Sequence, residues 1–442
     1  MRKRDRLYGH HESGSFWEEH CDKCCKEAGF VPLGIEWPST YHHPALGLFL
    51  VVYVDDFKLS GPAENLAKGW ALLRKDLHID KETGHGQYLG CGHESGTFSM
   101  PAGSKATSVS YNMESFWDSC VQRYVELAGP DVRIKKVPTP FLAENSEKGP
   151  SGAPCAKGPI TECTWCAHTF SPTTYKDLDD LNKKTKKGLP TGNNPSSEDS
   201  PSGGNLADKN DSKIKGRLAE HAACILMKCL YSARMARFDL LRAITSLACQ
   251  LTRWTPECDR KLHRLMCYIH SSKHLRMFGY VGNSLTEVQP HLFADADFAG
   301  CAITQRSTSG LHLCIRGTRT CFPIAGQSKR QGCVSHSTPE AEIVAADFGL
   351  RLAGLPALDL WHELLPRKPP LFLHEDNQAM IRVCKTGRNP TMRHIGRTHR
   401  VSVAFTHERF TLPGIDLVYE MTHTQRPSRN QLNGTPCASW ST

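Results

Sequence analysis

The 442-residue chain carries 54 Lys and Arg against 45 Asp and Glu, a formal net charge of +9, with 39% hydrophobic and 22% charged residues. That balance argues against global disorder, the length allows two or three domains, and the positive excess modestly favours a polyanionic partner. No stretch approaches eighteen consecutive apolar residues and "MRKRDRLYGHHESGSFWEEH" has no apolar core behind its basic start, so neither a membrane span nor a secretory signal is expected, and the chain reads as intracellular.

The first patterned segment, "SGSFWEEHCDKCCKEAGF", sets Phe16, Trp17, Cys21, Cys24, Cys25 and Ala28 at helical spacing, with Gly29 as a stop. Its cysteine cluster invites a zinc reading, but no matched CxxC partner lies nearby, and the periodicity already assigns these residues to a core face. More generally, the nineteen cysteines are scattered through patterned segments and read as reduced, mostly buried thiols. Next, "LFLVVYVDDFKLSG" reads as a buried strand that Asp55 and Asp56 interrupt side by side. Burying a carboxylate costs on the order of several kcal/mol unless something pairs with it. A turn at Gly61-Pro62, a helix through "AENLAKGWALLRKDL" and a strand at "GQYLGCGH" follow, so the chain to about Pro140 alternates helix and strand.

Composition then changes. Residues 145–152 are small and polar, and "KDLDDLNKKTKKGLPTGNNPSSEDSPSGGNLADKNDSKIKG" offers almost nothing to bury, as in a disordered linker or long insertion. Between them Cys155, Cys163, Cys166 and His168 have the chemistry for one zinc ion, with free thiols in a loop as the default. Helical spacing resumes over "AACILMKCLYSARMARFDLLRAITSLACQLTRW", and a second helix, "PECDRKLHRLMCYIHSS", starts at Pro256. Their Arg and Lys residues suit a solvated face or a phosphate backbone.

The last block, from about Gly279, opens with strands at "HLFADADFAG" and "GLHLCIRGTRTCFPI". A helix begins at "STPEAEIVAADFGLRLAG", where Thr338 can cap, Pro339 suits the first turn and Glu340 favours the positive end of the dipole. Another helix covers "LPALDLWHELL", a strand covers "PLFLHE" and a helix starts at "DNQAMIRVCK". Alternation puts Asp295 and Asp297 on one side of their strand. Glu342 lies in the first turns of its helix, and Asp376 sits at a strand–helix junction. Three acids from three elements can converge on hard divalent cations, which take oxygen ligands. Each also has a bland role: Asp376 as a helix N-cap, Glu342 as a dipole acid, Asp297 as a strand-end turn former.

In order, "LYGHHESGSFWEEHCDKCCKEAGF", "LFLVVYVDDFKLSG" and "YLGCGH" resemble the end of a copia-type retrotransposon reverse transcriptase. "ILMKCLYSARMARFDLLRAITSLACQLTRW" with "LHRLMCYIHSSKHLRMFGYVG" resembles that family's connection segment, and "FADADFAGCAITQRSTSG", "VSHSTPEAEIVAAD", "HEDNQAMIRV" and "GRTHRVSVAFTHERF" its ribonuclease H domain. The resemblance implies α/β and α+β architecture: a partial reverse-transcriptase palm over 1–140, an insertion over 141–216, helical connection over 217–278, a ribonuclease H-like mixed five-stranded sheet flanked by helices over 279–422, and a divergent tail over 423–442. It implies Mg2+ or Mn2+ at Asp55 and Asp56 in a palm hairpin, and at Asp295, Glu342 and Asp376 in the hydrolase. Asp297 would stand beside that second site, and His399 matches a motif residue whose role is not derivable. The implied partner is an RNA–DNA hybrid or a primed RNA or DNA template.

Two departures from the family pattern are expected to matter. The palm acid that belongs on an earlier strand lies well upstream of the "LYG" segment, so Asp55 and Asp56 are half a site and the missing upstream Pol segments are a further possible partner. The aspartate that the family supplies after an "LVYE"-like strand is replaced by "TQRPSRNQLNGTPCASWST", and residues 423–442 contain no acid. Glu408 and Glu420 are the nearest upstream acids, while Arg426 and Arg429 would oppose a cation. The expected outcomes are no polymerase activity and weak or absent hybrid cleavage, the other reading being a nucleic-acid-binding remnant without turnover.

Overall fold

The structure is a computed structural model that describes residues 11–84, 86–100, 103–142, 161–162, 169–170, 215–301, 303–365 and 367–420. Its contacts divide the chain into two units, Met1–Phe141 with Ile214–Thr442, and Leu142–Lys213.

Helix Ser13–Glu27 buries Cys21, Cys24 and Cys25 as its spacing predicts, but Phe16, expected on the same face, is exposed and Trp17 is only half-buried. Gly29 then reverses the chain at φ +87°, and a Cβ there would sit 2.9 Å from His43 Nε2. The following strands β1 (Val31–Pro32), β2 (Thr40–His43), β3 (Leu48–Tyr53) and β4 (Asp56–Ser60) form an antiparallel sheet in that order. In β3 only Leu48, Leu50 and Val52 point into the core, shared with the cysteines, Phe30 and Leu73 of helix Ala63–Leu73. The run before the two aspartates is therefore half-buried and alternating rather than buried on both faces.

The segment "GQYLGCGH", expected as one strand, is a hairpin. β5 (Gln87–Tyr88) turns at Leu89 (φ 49°) and Gly90 (φ 77°) into β6 (Cys91–Ser99), the positive φ pair that tight hairpins require. β7 (Lys105–Asn112) and helix Glu114–Ala128 follow. In the second unit β8 (Thr161–Glu162) pairs antiparallel with β9 (Thr169–Phe170). Back in the first unit, the long helix expected from Ala222 is broken. Ala222–Ala236 ends at Arg237 (φ −143°, ψ 66°), and a 3-10 turn at Phe238–Leu240 leads into Leu241–Ala248. Helix Pro256–Ser272 starts at its expected proline. These helices share a core around Trp117, Tyr124, Leu226, Ile244 and Leu265.

The remaining strands are β10 (Met277–Val281), β11 (Gln289–Asp297), β12 (Thr308–Gly317), β13 (Thr320–Arg330), β14 (Leu371–Glu375) and β15 (Ile415–Tyr419). They join a nine-stranded mixed sheet in the order β15-β14-β11-β12-β13-β10-β7-β6-β5, parallel across β11, β14 and β15 and antiparallel elsewhere. The architecture is mixed α/β. β10 straddles the expected 278/279 boundary and pairs with β7 on one side and β13 on the other. Helix Thr338–Gly349 runs through a π turn at Leu350–Gly354 into Leu355–Leu364, and packs Ala341, Ile343 and Ala346 into a core with Leu292, Leu311 and Leu373. Close approach depends on Gly354, where a Cβ would lie 2.8 Å from Leu371 Cδ2. Among the described residues, no helix is long and apolar enough to cross a membrane.

Candidate metal centre

β11 and β14 run parallel, with Phe293 beside His374. Continuing that register two residues brings Asp376, just past the end of β14, alongside Asp295. The helix above contributes Glu342. Its N-cap is Ser337, whose Oγ accepts from the Glu340 amide at 3.4 Å, one residue earlier than the expected Thr338. Glu342 Oε2 in turn accepts from the Ala296 amide at 2.9 Å. The N-cap of helix Gln378–Thr386 is Asn377, whose side chain accepts from Met380 N at 3.0 Å, so Asp376 is released from capping. Asp295, Glu342 and Asp376 each bring one carboxylate oxygen within 4.8 Å of the others, with Asp295 and Glu342 buried and Asp376 half-buried.

A fourth acid stands beside them. Glu375 is 1% exposed; one of its oxygens accepts from Asn377 N at 2.9 Å, and Oε2 is buried with no hydrogen-bond partner. Burial, and then the charges of Glu375, Asp295 and Asp376, push Glu342 up to about 10. Burial also pushes Glu375 up to about 8, with Asp376 and Asp295 adding to it. Packed carboxylates of this kind repel one another and resist desolvation unless a cation joins them. An all-oxygen donor set with an orphaned buried oxygen beside it fits Mg2+ or Mn2+. The sequence reading missed Glu375, although a signal was there: in "LFLHE" it shares the core-facing phase of Leu371 and Leu373.

Other candidates go elsewhere. Asp297 pairs with Arg242 and accepts from the Thr308 amide, the strand-end role open to it. His399 Nε2 lies 3.3 Å and His394 Nε2 3.2 Å from the same oxygen of Glu340, tethering residues 394–399 to the first turn of the Glu342 helix. Glu340, expected only to favour the helix dipole, is buried in this contact. Glu420 lies 2.5 Å from His374 Nδ1, whose Nε2 is 2.7 Å from His291 Nδ1. Burial pushes His374 down to about 3 and His291 to about 4, and raises Glu420. Glu408 is exposed and pairs with Arg409 at 2.8 Å. Neither Glu408 nor Glu420 belongs to the three-acid group.

Asp55 and Asp56 stand at the turn from β3 to β4, where Tyr53 faces Asp56 across the hairpin. Both are exposed, as are Tyr53 (58%) and Val54 (62%), so no buried charge needs compensating there. Val54 has φ +55°, unusual for a β-branched residue, and its carbonyl accepts from Trp17 Nε1 at 2.6 Å. Among the described residues no third acid gathers with this pair. The basic helices offered for phosphate binding also change: in "SARMARFDLLR", Arg237 is buried against Asp239 and Arg242 is committed to Asp297. Cys155, Cys163, Cys166, His168, Arg426 and Arg429 lie outside the described residues.

No protein-family model and no curated protein matches this chain.

Proposed function

We propose that the chain is part of a copia-type Pol protein, a partial reverse transcriptase carried with a ribonuclease H-type hydrolase, and that Asp295, Glu342 and Asp376 are the hydrolase's cation site. One observation carries this reading: oxygens from three carboxylates on three separate elements lie within 4.8 Å of one another. A divalent cation bound there would activate water and stabilise the leaving oxygen of a phosphodiester. The protein's own part is to hold the oxygens still. The Ala296 amide fixes Glu342, and the Asn377 cap frees Asp376.

Polymerisation fits the described residues poorly, since Asp55 and Asp56 sit on an exposed hairpin without a third acid. For that half of the chain the reading of a nucleic-acid-binding remnant is favoured. Hybrid cleavage is expected to be slow, because residues 423–442 supply no acid where the resembling family has one. The test incubates the full chain with a labelled RNA–DNA hybrid and Mg2+ or Mn2+. Slow cleavage lost in Asp376→Asn, with no primer extension above an Asp55→Asn control, is the expected result. Cleavage indifferent to Asp376→Asn, or no calorimetric binding of either cation, would overturn the assignment.

A further inference from the structure

Between Asp376 and Glu408 the chain has no acid, yet it carries Arg382, Lys385, Arg388, Arg393, Arg397 and Arg400. All six are exposed, and among the described residues no ion pair engages them. Three of them, Arg388, Arg393 and Arg400, line one cleft of about 540 Å³ together with Asn389 and Ser402. We propose that this cleft binds backbone phosphates of a nucleic acid strand and seats it beside the acidic centre.

The cleft is a built feature. Gly387 closes the preceding helix at φ +68°, and a Cβ there would lie 2.6 Å from His407 Cδ2, so the chain turns sharply into the cleft wall. Arg400 takes φ +58°, a conformation that a bulky residue adopts only under constraint from its surroundings. Ser402 caps helix Val403–Thr411 by accepting from Phe405 N at 3.1 Å, and the first residue of that helix also lines the cleft. Backbone amides at such a helix start favour an anion. Guanidinium groups match phosphate oxygens in pairs, which makes arginine the suited cation for this role.

Position links the cleft to the carboxylates. Its walls follow directly from helix Gln378–Thr386, which begins after Asp376, and His394 and His399 bind Glu340, two residues before Glu342. A strand held by the arginines is thus anchored to two of the three elements that supply the cation site, those of Glu342 and Asp376. The inference takes its partner, an RNA–DNA hybrid, from the hydrolase reading, but it concerns binding and not cleavage.

Anisotropy of a labelled hybrid with the full chain in EDTA, across a salt series, tests it. Arg388→Ala, Arg393→Ala and Arg400→Ala combined should weaken binding about tenfold or more at low salt, and reduce the slope of log K against log salt by about two to three. Lys75→Ala, Lys81→Ala and Lys105→Ala combined remove the same charge elsewhere and should change affinity by less than about threefold. Equal losses in both triple variants, or none in the arginine triple, would overturn the cleft while leaving the cation site to its own cleavage test. Binding lost in the arginine triple, in a protein that cleaves nothing, would keep the cleft and sink the hydrolase.

Discussion

Burial and neighbouring carboxylates raise the proton affinity of both Glu342 and Glu375, Glu375 acting on Glu342 and Asp376 and Asp295 on Glu375, and this has a measurable cost. Both titrate above the usual carboxylate value of 4.5, to about 10 and about 8. On raising the pH the unfolded chain gives up these protons first. Their contribution to stability is therefore whole below about pH 4.5 and is lost as the pH climbs through 8 towards 10. In EDTA the melting temperature should fall between pH 5 and pH 9 by on the order of 5–10 °C. Glu342→Gln should flatten that fall, and Mg2+ or Mn2+ at pH 8–9 should reverse it in the parent protein, because a bound cation takes the place of the protons. An equally steep fall in Glu342→Gln, followed by scanning fluorimetry, would put the pH dependence elsewhere.

Among the elements, the break after Ala236 shows how a side chain can interrupt a helix that periodicity alone would continue. Arg237 donates to both Asp239 oxygens at 2.8 and 2.7 Å, to Ser272 O at 2.8 Å and to Ser272 Oγ at 3.0 Å. Tyr268 adds a hydrogen bond to Asp239 at 3.3 Å, so the break is pinned to helix Pro256–Ser272 by one buried ion pair. Arg237→Ala should cost about 3–5 kcal/mol in urea unfolding, since it strands a buried carboxylate, whereas Arg237→Met with Asp239→Leu should cost much less. Equal costs for the two would mean that packing, not charge, is what the site needs. This break was illegible in the sequence because Phe238, Leu241 and Ile244 keep the helical spacing going. Helix Pro256–Ser272 was legible to the residue, as proline and apolar period agree there. The acid cluster was legible through chain order and strand-end position. Glu375 was marked only by sharing the core-facing phase of Leu371 and Leu373; that it meets Glu342 was not legible, because Glu342 comes from another element. The hairpin at Leu89-Gly90 hid because Leu89 is not a residue that advertises positive φ.

For the molecule as a whole, the segments before and after residue 279 share a sheet, and the join is uneven. β10 pairs with β7 through five residues, Met277↔Tyr111 to Val281↔Thr107, but with β13 only through Tyr280↔Cys321 and Val281↔Thr320. β10 thus belongs more to the strands before it than to those after it. A chain divided at 278/279 cuts through β10, removes three of its five pairings with β7 and bares the N–H and C=O groups of that stretch, the kind of edge that recruits other chains. A piece ending at 278 should therefore scatter light as oligomers, while one ending at 282 should stay monodisperse. Equal monodispersity of the two would mean that β7 does not depend on this neighbour. The seam that solubility should respect lies after Val281, so residues 279–282 should decide whether the upstream piece survives alone.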